Sequence, residues 1–190
     1  MSTTNLSQFA SMNKLFVALL MSVVGITNVS ANEVEEHKYL WNTLSEVGIK
    51  ALVNTQKCNE DNIDGYYDMM NGVLVICQDN AKLAGSSAPW TENDFDTLRH
   101  EAHHVLQDCA NGKMKDGILV PFYEMTEYRE FVNITLTSDE VNNIVKIYRE
   151  GGASPFAIVN EIEAFAVARV TSPKDIADRL LSMCDNIKDK

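Results

Sequence analysis

Basic residues are scarce in this chain: 16 Lys and Arg stand against 27 Asp and Glu over 190 residues, a formal net charge of −11. That sign argues against nucleic acid and anionic membrane surfaces as partners, because both are held through their phosphates by positive charge. Four prolines and nine glycines are too few for a collagenous or low-complexity chain, and an apolar content of 45% is too high for a disordered one. Long hydrophobic runs are missing too. The longest, Leu15 to Ile26, falls short of the about 20 residues that cross a bilayer. What remains is an acidic chain with enough apolar residues for a core and a length that points to one domain.

The short apolar run has a different meaning. Lys14 is the only charge before it, polar Thr27 and Asn28 end it, and Val29-Ser30-Ala31 supplies small residues for a cut. This order describes a secretory signal peptide over residues 1–31, with Met12 as an alternative start, and a mature domain over 32–190. Removing the leader takes away one base and no acid, so 15 bases face 27 acids and the net charge becomes −12. The expected location is secreted or periplasmic, with no stable membrane insertion once the leader is cut.

Export gives the cysteines a role. Cys58, Cys77, Cys109 and Cys184 are even in number, and in an oxidising compartment they imply two disulfides. Cys58 and Cys77 flank an expected hairpin and make plausible partners, which leaves Cys109 for Cys184. No two of them form a close C-x-x-C pair, so a cysteine zinc site is not expected.

Apolar periodicity organises the rest. Leu40, Leu44, Val47 and Ala51 recur at three and four, predicting an amphipathic helix from Glu33 to Val53. Asn71-Gly72 between two apolar stretches predicts a hairpin with a tight turn, and 78–89 reads as a loop. Thr91, with Asp94 three residues on and Trp90 before it, caps a helix running to Cys109. Residues 118–122 are expected as a short strand or an extended cover strip. Further helices are expected at 126–133, from Asp139 to Glu150 capped by Ser138, after Ser154-Pro155, and after Ser172-Pro173. The expected fold is α+β, mostly helical with one β-hairpin.

On the capped helix stands His100-Glu101-Ala102-His103-His104. At 100° per residue the His100 and His104 side chains differ by only 40° in direction, so both can reach one metal ion. Glu101 lies about 80° from their midpoint, too far round to be an easy ligand but near enough to take a proton from a water beside the metal. His103 falls a similar angle to the other side and reads as a partly exposed helix residue or part of a cleft wall. His37 reads as an ordinary helix residue.

This H-E-x-x-H stretch resembles the zinc-binding helix of the zincin metallopeptidases. Gln107 and Ala110 stand where the metzincins carry a Gly and a third His, so that subclass is excluded. The gluzincins take their third ligand from a Glu on a later helix, and Asn160-Glu161-Ile162-Glu163-Ala164-Phe165 resembles that segment. The resemblance places Glu161 at the ligand position ahead of Glu163, whose carboxylate is then expected in solvent. Phe165 stands where many gluzincins have an Asp that orients the first histidine, leaving that work to another carboxylate such as Asp108 or Glu163.

What the resemblance implies is a zinc-dependent metallopeptidase with Zn2+ held by His100, His104 and Glu161. Its substrate would be a peptide or protein, hydrolysed by a zinc-activated water with Glu101 as general base. Tyr123, Tyr128, Tyr148, Arg99 and Arg129 are the candidates for steadying an oxyanion. A non-catalytic exported zinc-binding or interaction protein on the same scaffold is the alternative.

Overall fold

Leu40 and Leu44 begin the core from an amino-terminal helix, α1 (Ala31–Glu46), whose buried face also carries His37 and Thr43. The computed structural model describes residues 31–61, 63–81, 85–184 and 187. The expected leader therefore lies outside the described residues, apart from Ala31, which opens α1.

The helix expected over Glu33–Val53 is shorter than its periodicity suggested. Gly48 adopts φ 83°, its amide donates to the Ser45 carbonyl, and Ile49 N donates to the Leu44 carbonyl at 2.9 Å. This pair of bonds is the Schellman termination that a glycine just past a helix end makes cheap. Residues beyond it turn into a strand, β1 (Lys50–Val53), followed by a short helix, α2 (Gln56–Asp61), and two more strands, β2 (Gly65–Asp68) and β3 (Val73–Ile76). The sheet order is β1-β3-β2, with β1 parallel and β2 antiparallel to β3. The sheet thus has one strand more than the expected hairpin.

The hairpin itself forms at the expected place with a looser turn. Residues 69–72 connect β2 to β3, and Gly72 has φ 61° while Asn71 is not in the left-handed region. Asp68 explains the difference. Its carboxylate accepts from the backbone of Met70 and Asn71, both at 3.1 Å, and from the Asn71 side chain at 2.8 Å, stabilising a four-residue loop that needs only its last residue left-handed.

Helix α3 (Glu92–Ala110) starts as the sequence indicates. Thr91 accepts from Asp94 N while the Asp94 carboxylate accepts from Thr91 N, and the Trp90 ring stacks on Phe95 with centroids 5.4 Å apart. Together they make a capping box with its hydrophobic staple. Residues 118–122 form a cover strip rather than a paired strand, tied to α3 and to Asn160 by hydrogen bonds of Val120 and Leu119. Then come α4 (Met125–Thr135), α5 (Ser138–Glu150), α6 (Pro155–Val170) and α7 (Pro173–Cys184). The cap of α5 is Thr137 instead of Ser138, because only Thr137 has an acid three residues on, Glu140, that reaches back to its amide.

Two apolar clusters share α6. The first joins α1, the sheet, α3 and α7 through Leu40, Leu44, Leu74, Leu106, Val167 and Leu180. The second joins α4, α5 and α6 through Tyr128, Val132, Ile144, Ile158 and Ile162. Disulfides link Cys58 to Cys77 and Cys109 to Cys184, the pairing expected from the hairpin. Among the described residues no helix is long and apolar enough to cross a membrane.

Candidate metal centre

Helices α3 and α6 lie side by side, and their facing sides carry the polar groups that an otherwise apolar contact would exclude. His100 and His104, one turn apart on α3, bring their Nε2 atoms to 3.1 Å. From α6, Glu161 Oε2 lies 3.2 Å from the first and 3.4 Å from the second. The three donors form a nearly equilateral triangle. His100 is 7% exposed and His104 5%, while the Glu161 side chain keeps 18%, so the carboxylate is the most accessible of the three.

Burial opposes ionisation of Glu161, yet the imidazoles of His104 and His100 outweigh it and hold the carboxyl well below its usual range. For His104, burial works against a positive charge but the Glu161 carboxylate overcomes it, lifting the imidazole to about 9. Burial dominates at His100 and lowers it.

Glu101, 6% exposed, sits beside this triangle on the side of the sheet. Burial pushes its carboxyl up to about 7; the nearby Glu161 charge adds to the rise, while His104 and a backbone hydrogen bond from Tyr67 on β2 work against it. The close approach of β2 depends on Gly65. A Cβ there would stand 2.6 Å from Thr97 Cγ2, 2.8 Å from the Val75 carbonyl oxygen and 3.3 Å from Glu101 Cγ. The glycine is a matter of space, not of backbone conformation, and it lets the strand edge lie against α3 where Glu101 emerges.

Several expectations for the surroundings need correction. His103 is fully buried, not partly exposed: its Nε2 lies 2.8 Å from Glu163 Oε1, and both side chains have no exposure. Glu163 therefore does not point to solvent. It also accepts from the backbone of Phe122 at 2.8 and 3.2 Å, so one carboxylate ties α3, α6 and the 118–122 strip together. The periodicity of α3 alone hides this, because the partner helix covers a wider arc of its surface than the apolar residues mark.

Asp108 does not serve the histidines either; it accepts from Tyr67 OH at 2.7 Å and from Lys115 N at 3.1 Å. The orienting contact to His104 comes instead from Gln107, whose Oε1 lies 2.8 Å from Nδ1. At His100 the Phe165 ring packs edge-on with centroids 4.6 Å apart. Where the resemblance led one to expect an orienting carboxylate, an apolar wall stands.

Of the five candidate oxyanion groups, only Tyr148 couples to the triangle. Burial, then Glu161 and Glu101, raise its hydroxyl well above the usual tyrosine value, so it keeps its proton. Arg99 is spent elsewhere: its Nε donates to the Ala168 carbonyl and one terminal nitrogen lies 3.0 Å from His37 Nε2. Tyr123 OH accepts from Arg179 at 2.8 Å, Tyr128 is buried beside Glu163, and Arg129 is exposed.

The donor set fits a zinc ion. Tetrahedral bonds of about 2.0–2.1 Å put neighbouring ligand atoms roughly 3.3 Å apart, which is the spacing of the two Nε2 atoms and the Glu161 oxygen, all within 4.8 Å of one another.

Over residues 16–143 the chain matches the family described as Domain of unknown function (DUF8637). The matched segment takes in His100, Glu101 and His104 and stops within α5, before Glu161. No curated protein and no solved structure matches the chain.

Proposed function

We propose that this chain, which belongs to the DUF8637 family, is an exported zinc-dependent metallopeptidase. The observation that carries the reading is the triangle of His100 Nε2, His104 Nε2 and Glu161 Oε2, with edges of 3.1, 3.2 and 3.4 Å, beside a buried Glu101. When bound there, zinc supplies Lewis acidity toward a carbonyl oxygen and a water.

The protein's own residues then divide the work. His100, His104 and Glu161 hold the ion. Glu101, fixed by the Tyr67 backbone, takes the proton of the attacking water and returns it to the departing amine nitrogen. Tyr148 turns its hydroxyl hydrogen toward the oxyanion that develops on the peptide carbonyl. Phe165 keeps bulk water from the far side of His100. Export is supported by the two disulfides, which suit an oxidising compartment, and by the leader-like run that precedes Ala31.

The test is Glu101→Gln. The variant should keep stoichiometric zinc and lose peptide hydrolysis by at least about a hundredfold, within the range of general-base contributions; unchanged turnover of a peptide library would end the peptidase reading. A second reading, a zinc-binding protein without turnover, is favoured by the low exposure of the histidines and Glu101, 5 to 7%. Stoichiometric zinc in the wild-type protein with no cleavage of any peptide would select it.

A further inference from the structure

Gln107 occupies a position that neither the metal triangle nor the apolar core accounts for. It is fully buried on α3, three residues after His104 and so on the same side of the helix. Its amide makes two contacts. Nε2 lies 3.0 Å from the backbone carbonyl of Asn160 on α6, and Oε1 lies 2.8 Å from His104 Nδ1.

The chemistry of these contacts leaves no freedom in their direction. A backbone carbonyl can only accept, so it must face the NH2 of the amide and not its oxygen. The amide oxygen is thereby turned toward His104, and it too can only accept. His104 Nδ1 must then carry a hydrogen. A neutral imidazole with its proton on Nδ1 has its lone pair on Nε2, the atom that faces His100 and Glu161.

The contact from Nε2 ends at Asn160, the residue directly before Glu161. One side chain thus spans from a ligand histidine on α3 to the backbone that carries the ligand carboxylate on α6. The strip over this face closes it further, with Val120 N donating to the Gln107 carbonyl at 3.2 Å and Asn160 Nδ2 donating to the Leu119 carbonyl at 3.1 Å.

We propose that Gln107 is the positioning residue of the metal centre: it selects the Nε2-ligating form of His104 and sets its distance from Glu161. This rests on His104 and Glu161 being metal ligands. Histidine ligands commonly donate their second nitrogen to a carboxylate, which raises their basicity. A neutral amide orients the ring without adding charge, so it fixes geometry while leaving His104 a weaker donor than a carboxylate partner would make it.

Two substitutions separate orientation from packing. Gln107→Leu keeps the volume and removes the acceptor. Gln107→Glu keeps the acceptor and adds charge, at the loss of the donor to Asn160. Zinc affinity is read by competition with a chromophoric chelator, alongside urea unfolding of the metal-free proteins. The leucine variant should bind zinc about 10 to 100 times more weakly than wild type, and the glutamate variant at least as tightly as wild type, whatever their order of stability without metal. Wild-type affinity in Gln107→Leu would overturn the proposal, as would equal weakening in both variants, since that would mark a packing role. If wild type itself binds no zinc, the metal reading fails first and is recognised as such. Should Gln107→Leu not fold, the glutamate variant alone decides, because a purely structural Gln107 predicts that it binds more weakly.

Discussion

At the scale of single residues, buried polar groups explain more of this molecule than its apolar ones. His37 is 1% exposed, with Nδ1 donating to the Glu33 carbonyl at 2.7 Å and Nε2 accepting from Arg99 at 3.0 Å. Both nitrogens are committed to the neutral ring. Burial, with the Arg99 charge against it, brings its pKa down from 6.5 to about 4, although the Glu33 carbonyl and Glu36 pull the other way. Between those two values the unfolded chain binds more protons than the folded one, so the contribution of His37 is intact above pH 6.5 and is lost as the pH falls toward 4, up to about 3 kcal/mol. Urea unfolding at pH 7.5 and at pH 5 checks this. Wild type should lose more stability on acidification than His37→Gln, and parallel losses would refute it.

The residues that α3 gives the candidate centre are also those that sequence reveals best, because a helix turns spacing into direction without help from the rest of the fold. His100, Glu101 and His104 could be grouped from periodicity alone. Gln107 and Glu163 could not. Their roles arise only when α6 and the strip from 118 to 122 are laid on α3, and nothing in their neighbours along the chain marks Gln107 as the link from His104 to Asn160, 53 residues on, or Glu163 as the partner of His103, 60 residues away.

At the scale of elements, local signals decided where helices begin. Thr91 and Ser154 act as caps as read, whereas the end of α1 went unread because the apolar repeat continues through a glycine. Gly48 carried the information, as a residue tolerant of the left-handed conformation placed after Val47, but a helix of another turn had the same apolar spacing. β1 was missed for a related reason: four residues are too few to show alternation against a helical background. Gly65 gives a sharper lesson, since its role is invisible until β2 meets α3. Gly65→Ala should lower stability by about 1–3 kcal/mol, the usual cost of overpacking, because the added methyl meets the Val75 carbonyl oxygen at 2.8 Å and a backbone atom cannot give way. An unchanged urea midpoint would show that β2 can stand off from the helix.

At the scale of the whole molecule, the α+β class follows from many caps and few strands, while the arrangement of two clusters around α6 does not follow from any one segment. The disulfide between Cys109 and Cys184 closes a loop over a sequence separation of 75, which loop-entropy arithmetic values at about 4 kcal/mol before strain. Everything from the turn after α3 to the end of α7, Glu161 included, lies inside that ring.

The ring also governs what a protease can do. Lys113 is exposed between Gly112 and Met114, in the segment that leaves α3, and a cut after it would put His100 and His104 on one fragment and Glu161 on the other. Cys109 and Cys184 fall on opposite fragments as well, so the two would remain a single covalent molecule. Brief trypsin treatment should therefore leave one band at nearly full mass on a non-reducing gel and two smaller bands after reduction. Separation, without reductant, of the two fragments that meet at Lys113 would show that the bridge is absent from the purified protein. With the bridge in place, a two-chain form would keep its three donors within reach of one another, and scission of the backbone would not by itself dismantle the centre.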